Sequence, residues 1–130
     1  MRLRVGLLLA TLAFTGAFLT NALATEDVRA KLTGPELTTL LSGNTETWST
    51  VGAGYYDPSG VIEYVWDGEA NSGQWKITGD GVLCLKITVW YGDDFNCNWT
   101  YFREQGDVFS LNLKSGTATR MPGFAPGKTF

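Results

Sequence analysis

The apolar and polar positions change rhythm once along this chain. Leu37, Leu40 and Leu41 fall three and four residues apart, on one face of a helix. Just before them, Thr33-Gly34-Pro35-Glu36 forms a capping box. The Thr33 hydroxyl can accept from the third backbone amide while Glu36 reaches back. Pro35 is harmless in a first turn, where its missing donor would have been an orphan. Gly43 suits a left-handed stop. These signals predict a helix over 34–42. After Asn44 the rhythm shortens to period two, in runs divided by turn residues. Strands are expected over 45–51, 54–56, 61–66, 73–78, 82–89, 99–104, 108–113 and 117–121. Asp57-Pro58-Ser59-Gly60, Gly79-Asp80-Gly81, Gln105-Gly106-Asp107 and Lys114-Ser115-Gly116 mark the turns, and a longer loop is expected over 67–72. About seven or eight short strands with short connections predict a mainly β fold, an antiparallel meander behind one N-terminal helix. Closing into a small barrel would bury the inner face and remove the edges.

Alternation assigns the faces. Trp75 and Ile77 oppose Gln74, Lys76 and Thr78; Leu83, Leu85, Ile87 and Val89 oppose Cys84, Lys86 and Thr88; Phe109, Leu111 and Leu113 oppose Ser110, Asn112 and Lys114. The apolar sets are expected to point inward, which leaves Cys84 outward. If Cys84 pairs with Cys97 across neighbouring strands, the two share a face, and Trp99, Tyr101 and Arg103 then also point outward. That is a large aromatic surface to leave in water. Either the leucine helix covers it or a bulge near Asn98 resets the register.

The first 24 residues stand apart. Met1-Arg2-Leu3-Arg4 is basic, residues 5–19 are mostly apolar and uncharged, and Ala22-Leu23-Ala24 has the small residues of a cleavage site. A secretory signal over 1–24 is expected, with the mature chain starting at Thr25 and located in the periplasm or secreted. Residues 25–130 suit a single domain with a short irregular C-terminal tail. In that part, 8 basic residues face 13 acidic ones. This acidity argues against nucleic acid or anionic lipid as partner. No later apolar run approaches the roughly 20 residues that span a bilayer. Pro122 and Pro126 argue against a long membrane strand at the C-terminus. An oxidising compartment makes a Cys84–Cys97 disulfide the expectation. It would close a loop of about 14 residues and contribute about 3 kcal/mol. Its geometry places the hairpin turn at Trp90-Tyr91 rather than at Gly92-Asp93-Asp94, within a protruding loop from Val89 to Asp94.

The chemistry is limited. With 0 histidines, His-dependent nucleophile systems and the usual zinc sites are excluded. No phosphate loop or dinucleotide fingerprint occurs, so no cofactor is expected. Glu63, Asp67, Glu69, Asp93 and Asp94 are candidates for a carboxylate-based hydrolase, but turn contexts account for Asp67, Asp93 and Asp94. Asp94, Asn96 and Asn98 alternate like the start of a calcium loop, yet Trp99 and Gln105 stand where such a loop needs glycine and glutamate. Among the 5 tryptophans and 5 tyrosines, most should pack against neighbouring strands. Trp90 and Tyr91, with Asp93 and Asp94 beside them, are the candidate contact surface for a ligand or partner.

Leu32-Thr33-Gly34-Pro35-Glu36-Leu37 and Leu40-Leu41-Ser42-Gly43-Asn44-Thr45 resemble a family of small secreted alphaproteobacterial proteins described as a domain of unknown function. Ser72-Gly73-Gln74-Trp75, Gly81-Val82-Leu83-Cys84, Cys97 and Gly106-Asp107 continue the likeness. Gly73-x-Trp75 is also similar to the motif of lipocalin-like barrels, where it lies on the first strand rather than mid-chain. The first resemblance implies a Gram-negative periplasm and supplies no activity. The expectation is a monomeric, non-catalytic binding module for a small ligand or envelope component. The alternatives are a protein inhibitor or envelope-interaction protein and, more weakly, a two-carboxylate hydrolase.

Overall fold

The computed structural model describes residues 29–130; the expected signal sequence and its cleavage site lie outside the described residues. The chain runs β1 (Ala30–Lys31), α1 (Gly34–Leu41), β2 (Asn44–Thr47), β3 (Gly52–Tyr56), β4 (Val61–Trp66), β5 (Glu69–Ile77), β6 (Leu83–Lys86), α2 (Thr88–Tyr91), β7 (Asn96–Glu104), β8 (Asp107–Asn112), β9 (Ala118–Arg120) and β10 (Gly123–Pro126). The fold is mainly β, as the patterning indicates. The strands form one antiparallel sheet in the order β10-β2-β3-β4-β5-β6-β7-β8-β9, with β1 paired to β7.

This order fixes the shape. β9 and β10 are separated in the chain by only Met121 and Pro122, yet they occupy opposite edges of the sheet. The three peptide steps from Arg120 to Gly123 span at most about 11 Å, so the sheet must curl until its edges approach. No ladder joins β9 to β10 among the described residues, and the barrel therefore stays incomplete. Both edges are short, 3 and 4 residues, and Pro126 lacks a donor. The tail expected to be irregular supplies β10, which pairs with β2 from Gly123↔Thr47 to Pro126↔Asn44.

Alternating hairpins place every second connection at the same end. α1 closes the end holding the β3–β4, β5–β6 and β7–β8 turns. Thr33 caps α1 as expected: its Oγ1 accepts from the Glu36 amide at 3.3 Å and its own amide donates to Glu36 Oε1 at 2.9 Å. Gly34 lies against the β5–β6 turn, where a Cβ would meet the Thr78 and Gly79 carbonyls at 3.0 Å. Leu37 and Leu41 are fully buried and pack with Ile62, Trp75 and Leu83 in the core.

Three expectations change at the other end. The loop expected over 67–72 is a two-residue turn. Asp67 and Gly68 both have positive φ (50° and 85°), and pairing resumes at Trp66↔Glu69. The strand expected over 82–89 stops at Lys86, and Thr88–Tyr91 forms one helical turn. Val89, expected inside, is 67% exposed.

The third change concerns β7 and β8. Cys84 pairs with Cys97, and the register then shifts so that Leu83 lies opposite Trp99. Asn98 is the extra residue of a bulge. The bulge, rather than α1, resolves the facing problem: Cys97 stays outside while Trp99 and Tyr101 turn inward. Tyr101 lies opposite Ser110, and Phe102 opposite Phe109. Ser110 therefore faces in, and the Phe109/Leu111/Leu113 set faces out, opposite to expectation. Phe109 is stacked on Phe102 with centroids 5.2 Å apart, and Leu113 is 49% exposed. Two adjacent aromatics on β7 make either face look apolar, so hydropathy alone could not choose.

Candidate functional site

The end opposite α1 is a mouth. Its rim is built by residues 48–51, 67–68, 87–95 and 113–117. Below it lies a cavity of about 440 Å³, lined by aromatic side chains and by Ser110, Thr119 and Glu46.

Glu46 is the polar anchor of this cavity. It lies opposite Gly54 in the β2–β3 ladder, on the inner face, and is fully buried. Its Oε1 accepts from the Tyr56 hydroxyl at 2.6 Å and from Trp48 Nε1 at 2.8 Å. Its Oε2 accepts from the Tyr101 hydroxyl at 2.5 Å. β2 and β7 are not neighbours in the sheet, so this last bond crosses the barrel interior and ties opposite walls together. Burial pushes the Glu46 carboxyl above its ordinary range, and the hydrogen bonds from Tyr101, Tyr56 and Trp48 oppose that rise. Burial first, and the Glu46 charge second, hold the Tyr56 and Tyr101 hydroxyls far above the ordinary tyrosine range.

Glycine makes room for the rings. A Cβ at Gly54 would lie 2.4 Å from the Trp48 ring, and one at Gly52 would lie 2.2 Å from the Trp66 ring. The inner face of β3 is thus a bare strip on which two indoles lie. Trp48 is thereby aimed at Glu46. Trp90 comes down from α2 into the same cluster, with its ring 4.9 Å from Tyr64, 5.9 Å from Trp66 and 6.1 Å from Trp48. Tyr91 follows at 5.6 Å from Trp99. The Tyr64 hydroxyl is buried with no hydrogen-bond partner among the described residues.

The residues singled out by sequence separate here. Cys84 and Cys97 form the disulfide between β6 and β7, on the outer face, with Cα atoms 3.9 Å apart. Trp90 and Tyr91 line the cavity and remain 40% and 37% exposed. The hairpin does turn around them, but as a helical turn folded over the mouth instead of a protruding tip. Asp93 and Asp94 are exposed on the same connection and do not line the cavity. Glu63 faces outward in an ion pair with Lys128 at 3.2 Å. The structure does not bring it to the cavity, where Glu46 is the one acid among the lining residues. Among the described residues no three His, Cys, Asp or Glu side chains gather as metal ligands.

Sequence reasoning missed Glu46 because Thr45-Glu46-Thr47 is polar throughout and shows no alternation. The available signal was parity: Glu46 is two residues from Trp48, so an inward Trp48 carries Glu46 inward with it.

Fold and cavity together define a small, disulfide-stapled, incomplete β-barrel with a buried carboxylate beneath an aromatic mouth. The chain belongs to the family described as "Protein of unknown function (DUF995)", which it matches over residues 7–106. That span includes α1, both cysteines, Glu46 and its three donors, and Trp90; it ends before β8. No curated protein and no solved structure matches the chain.

Proposed function

We propose that this protein is a non-catalytic, extracytoplasmic binding module that takes a small ligand into the barrel mouth. The observation that carries this reading is the cavity of about 440 Å³ with a buried carboxylate inside and tryptophans at its opening. Ligand sites are typically about 300–1,000 Å³, largely apolar, with few convergent polar groups. A well-packed interior of this size would hold no such space. Nor does stability explain Glu46, since apolar residues of similar volume commonly replace buried charges without loss. The likeness to lipocalin-like barrels, the periplasmic location and the alphaproteobacterial range belong to the same reading. The disulfide and the lack of any helix long and apolar enough to cross a membrane, among the described residues, are consistent with it.

A second reading, a protein inhibitor or envelope-interaction protein, is favoured by the rim itself. Val89, Trp66, Trp90 and Tyr91 are each at least a third exposed around the opening. Native mass spectrometry of protein purified from its own periplasm separates the two. A retained small molecule, lost when Trp90 and Glu46 are substituted, supports the first reading. A retained protein partner with an unoccupied cavity replaces it by the second.

A further inference from the structure

Charge and ring placement narrow the ligand further, given the cavity reading above. No lysine or arginine is among the residues that line the cavity. Arg103, two residues beyond Tyr101, lies in a separate cleft with Glu36 at the α1 end. Among the residues that line the cavity, Glu46 carries the only formal charge. Its hydrogen bonding is incomplete: Oε1 accepts twice, from Tyr56 and Trp48, but Oε2 accepts only from Tyr101. A carboxylate oxygen has two acceptor positions, so one on Oε2 remains for a donor. The tryptophans add negative ring faces, which attract cations within about 6 Å of the centroid. The rim has the same sign. Its connections and their flanks carry Asp67, Glu69, Asp93 and Asp94 against Lys86 and Lys114. An anion would meet a net negative rim and, among the residues that line the cavity, no counter-charge.

We propose that the ligand is a compact organic cation, an ammonium group on an apolar body, with one N–H donated to Glu46 Oε2 and its body between the mouth tryptophans. The cation supplies the counter-charge the buried carboxylate lacks. The titratable groups facing Glu46 are Tyr56 from β3 and Tyr101 from β7, and both stay neutral throughout the range below.

Three water-soluble probes of nearly equal shape test this by tryptophan fluorescence: 2-phenylethylammonium, 2-phenylethanol and phenylacetate. The ammonium should bind at least about tenfold more tightly than the alcohol, with phenylacetate weakest. Glu46→Gln should bring the ammonium to within about threefold of the alcohol and leave the alcohol within about twofold of wild type. If Glu46→Gln does not fold, judged by near-ultraviolet circular dichroism, the wild-type pH profile serves instead. Ammonium affinity should fall from about pH 8 to about pH 4 as Glu46 takes up a proton, while alcohol affinity stays flat. An alcohol or carboxylate that binds as well as the ammonium, or a flat ammonium profile, overturns the cation assignment and leaves the cavity reading standing. No response to any of the three at millimolar concentration overturns the cavity reading itself.

Discussion

The two ends of this barrel are built on different rules. Beneath α1 the interior is filled: Leu37, Leu41 and Ile62 are fully buried among other apolar side chains, and the helix cap locks onto a strand turn. At the mouth, equally inward positions hold Glu46, Ser110 and Thr119, and glycines at 52 and 54 make room for the Trp66 and Trp48 rings that line the opening. One end maximises contact and the other preserves a shaped void around a costly carboxylate. The difference teaches that the apolar pattern of a small barrel reports its packed end. Its site is made from departures from that pattern.

Truncation should separate the ends most sharply. Glu46→Ala leaves two tyrosine hydroxyls and an indole N–H without their acceptor and cuts the cross-barrel tie, so a loss of about 3–5 kcal/mol in chemical denaturation is expected. Leu37→Ala should cost about 2–5 kcal/mol through the cavity it opens beneath the helix. The comparison lies in what else changes. Ammonium binding at the mouth should survive Leu37→Ala in the folded fraction and lose its advantage over the alcohol with Glu46→Ala. Loss of binding in both would mean that the ends are one cooperative unit.

Acidity should also distinguish them. Burial raises the folded-state Glu46 pKa above the ordinary 4.5. The folded state then holds this proton more tightly than the unfolded state. The resulting stability is fully present below about pH 4.5 and is lost as pH rises through the folded pKa. Denaturation midpoints of wild type should therefore decline relative to those of Glu46→Gln over that window. Parallel curves would show that the three donors cancel the effect of burial. Thr33→Ala, at the packed end, should cost about 1 kcal/mol by removing the first-turn acceptor. Trp90→Ala reads mainly in binding: Trp90 packs against Tyr64, Trp66 and Trp48 while staying 40% exposed, so a stability loss of about 1–3 kcal/mol is expected, together with a fall in probe affinity of about tenfold. A Trp90→Ala protein that binds as wild type does would remove α2 from the site.

Much of the packed end was legible in the residues themselves. The capping box at Thr33 and Glu36, the leucine spacing of α1 and the alternation around Trp75 and Ile77 are local signals, and local signals survive folding because helix caps and pleats act within a few residues. The Cys84–Cys97 pairing was legible too, since a covalent constraint fixes register without knowledge of the rest. The candidate site was legible only at its rim, through Trp90 and Tyr91. Sequence patterning by itself determined the helix, the strand-rich meander and the staple. Tertiary structure alone decided that the edges approach without joining, that a one-residue bulge at Asn98 turns Trp99 and Tyr101 inward, and that Ser110 rather than Phe109 faces the interior. A face assignment depends on parity counted across neighbouring strands, and a single unpaired residue inverts everything beyond it. Glu46 finds two donors close by in the chain, Trp48 and Tyr56, but the third, Tyr101, comes from β7, 55 residues away, and could reach Oε2 only when the sheet curled.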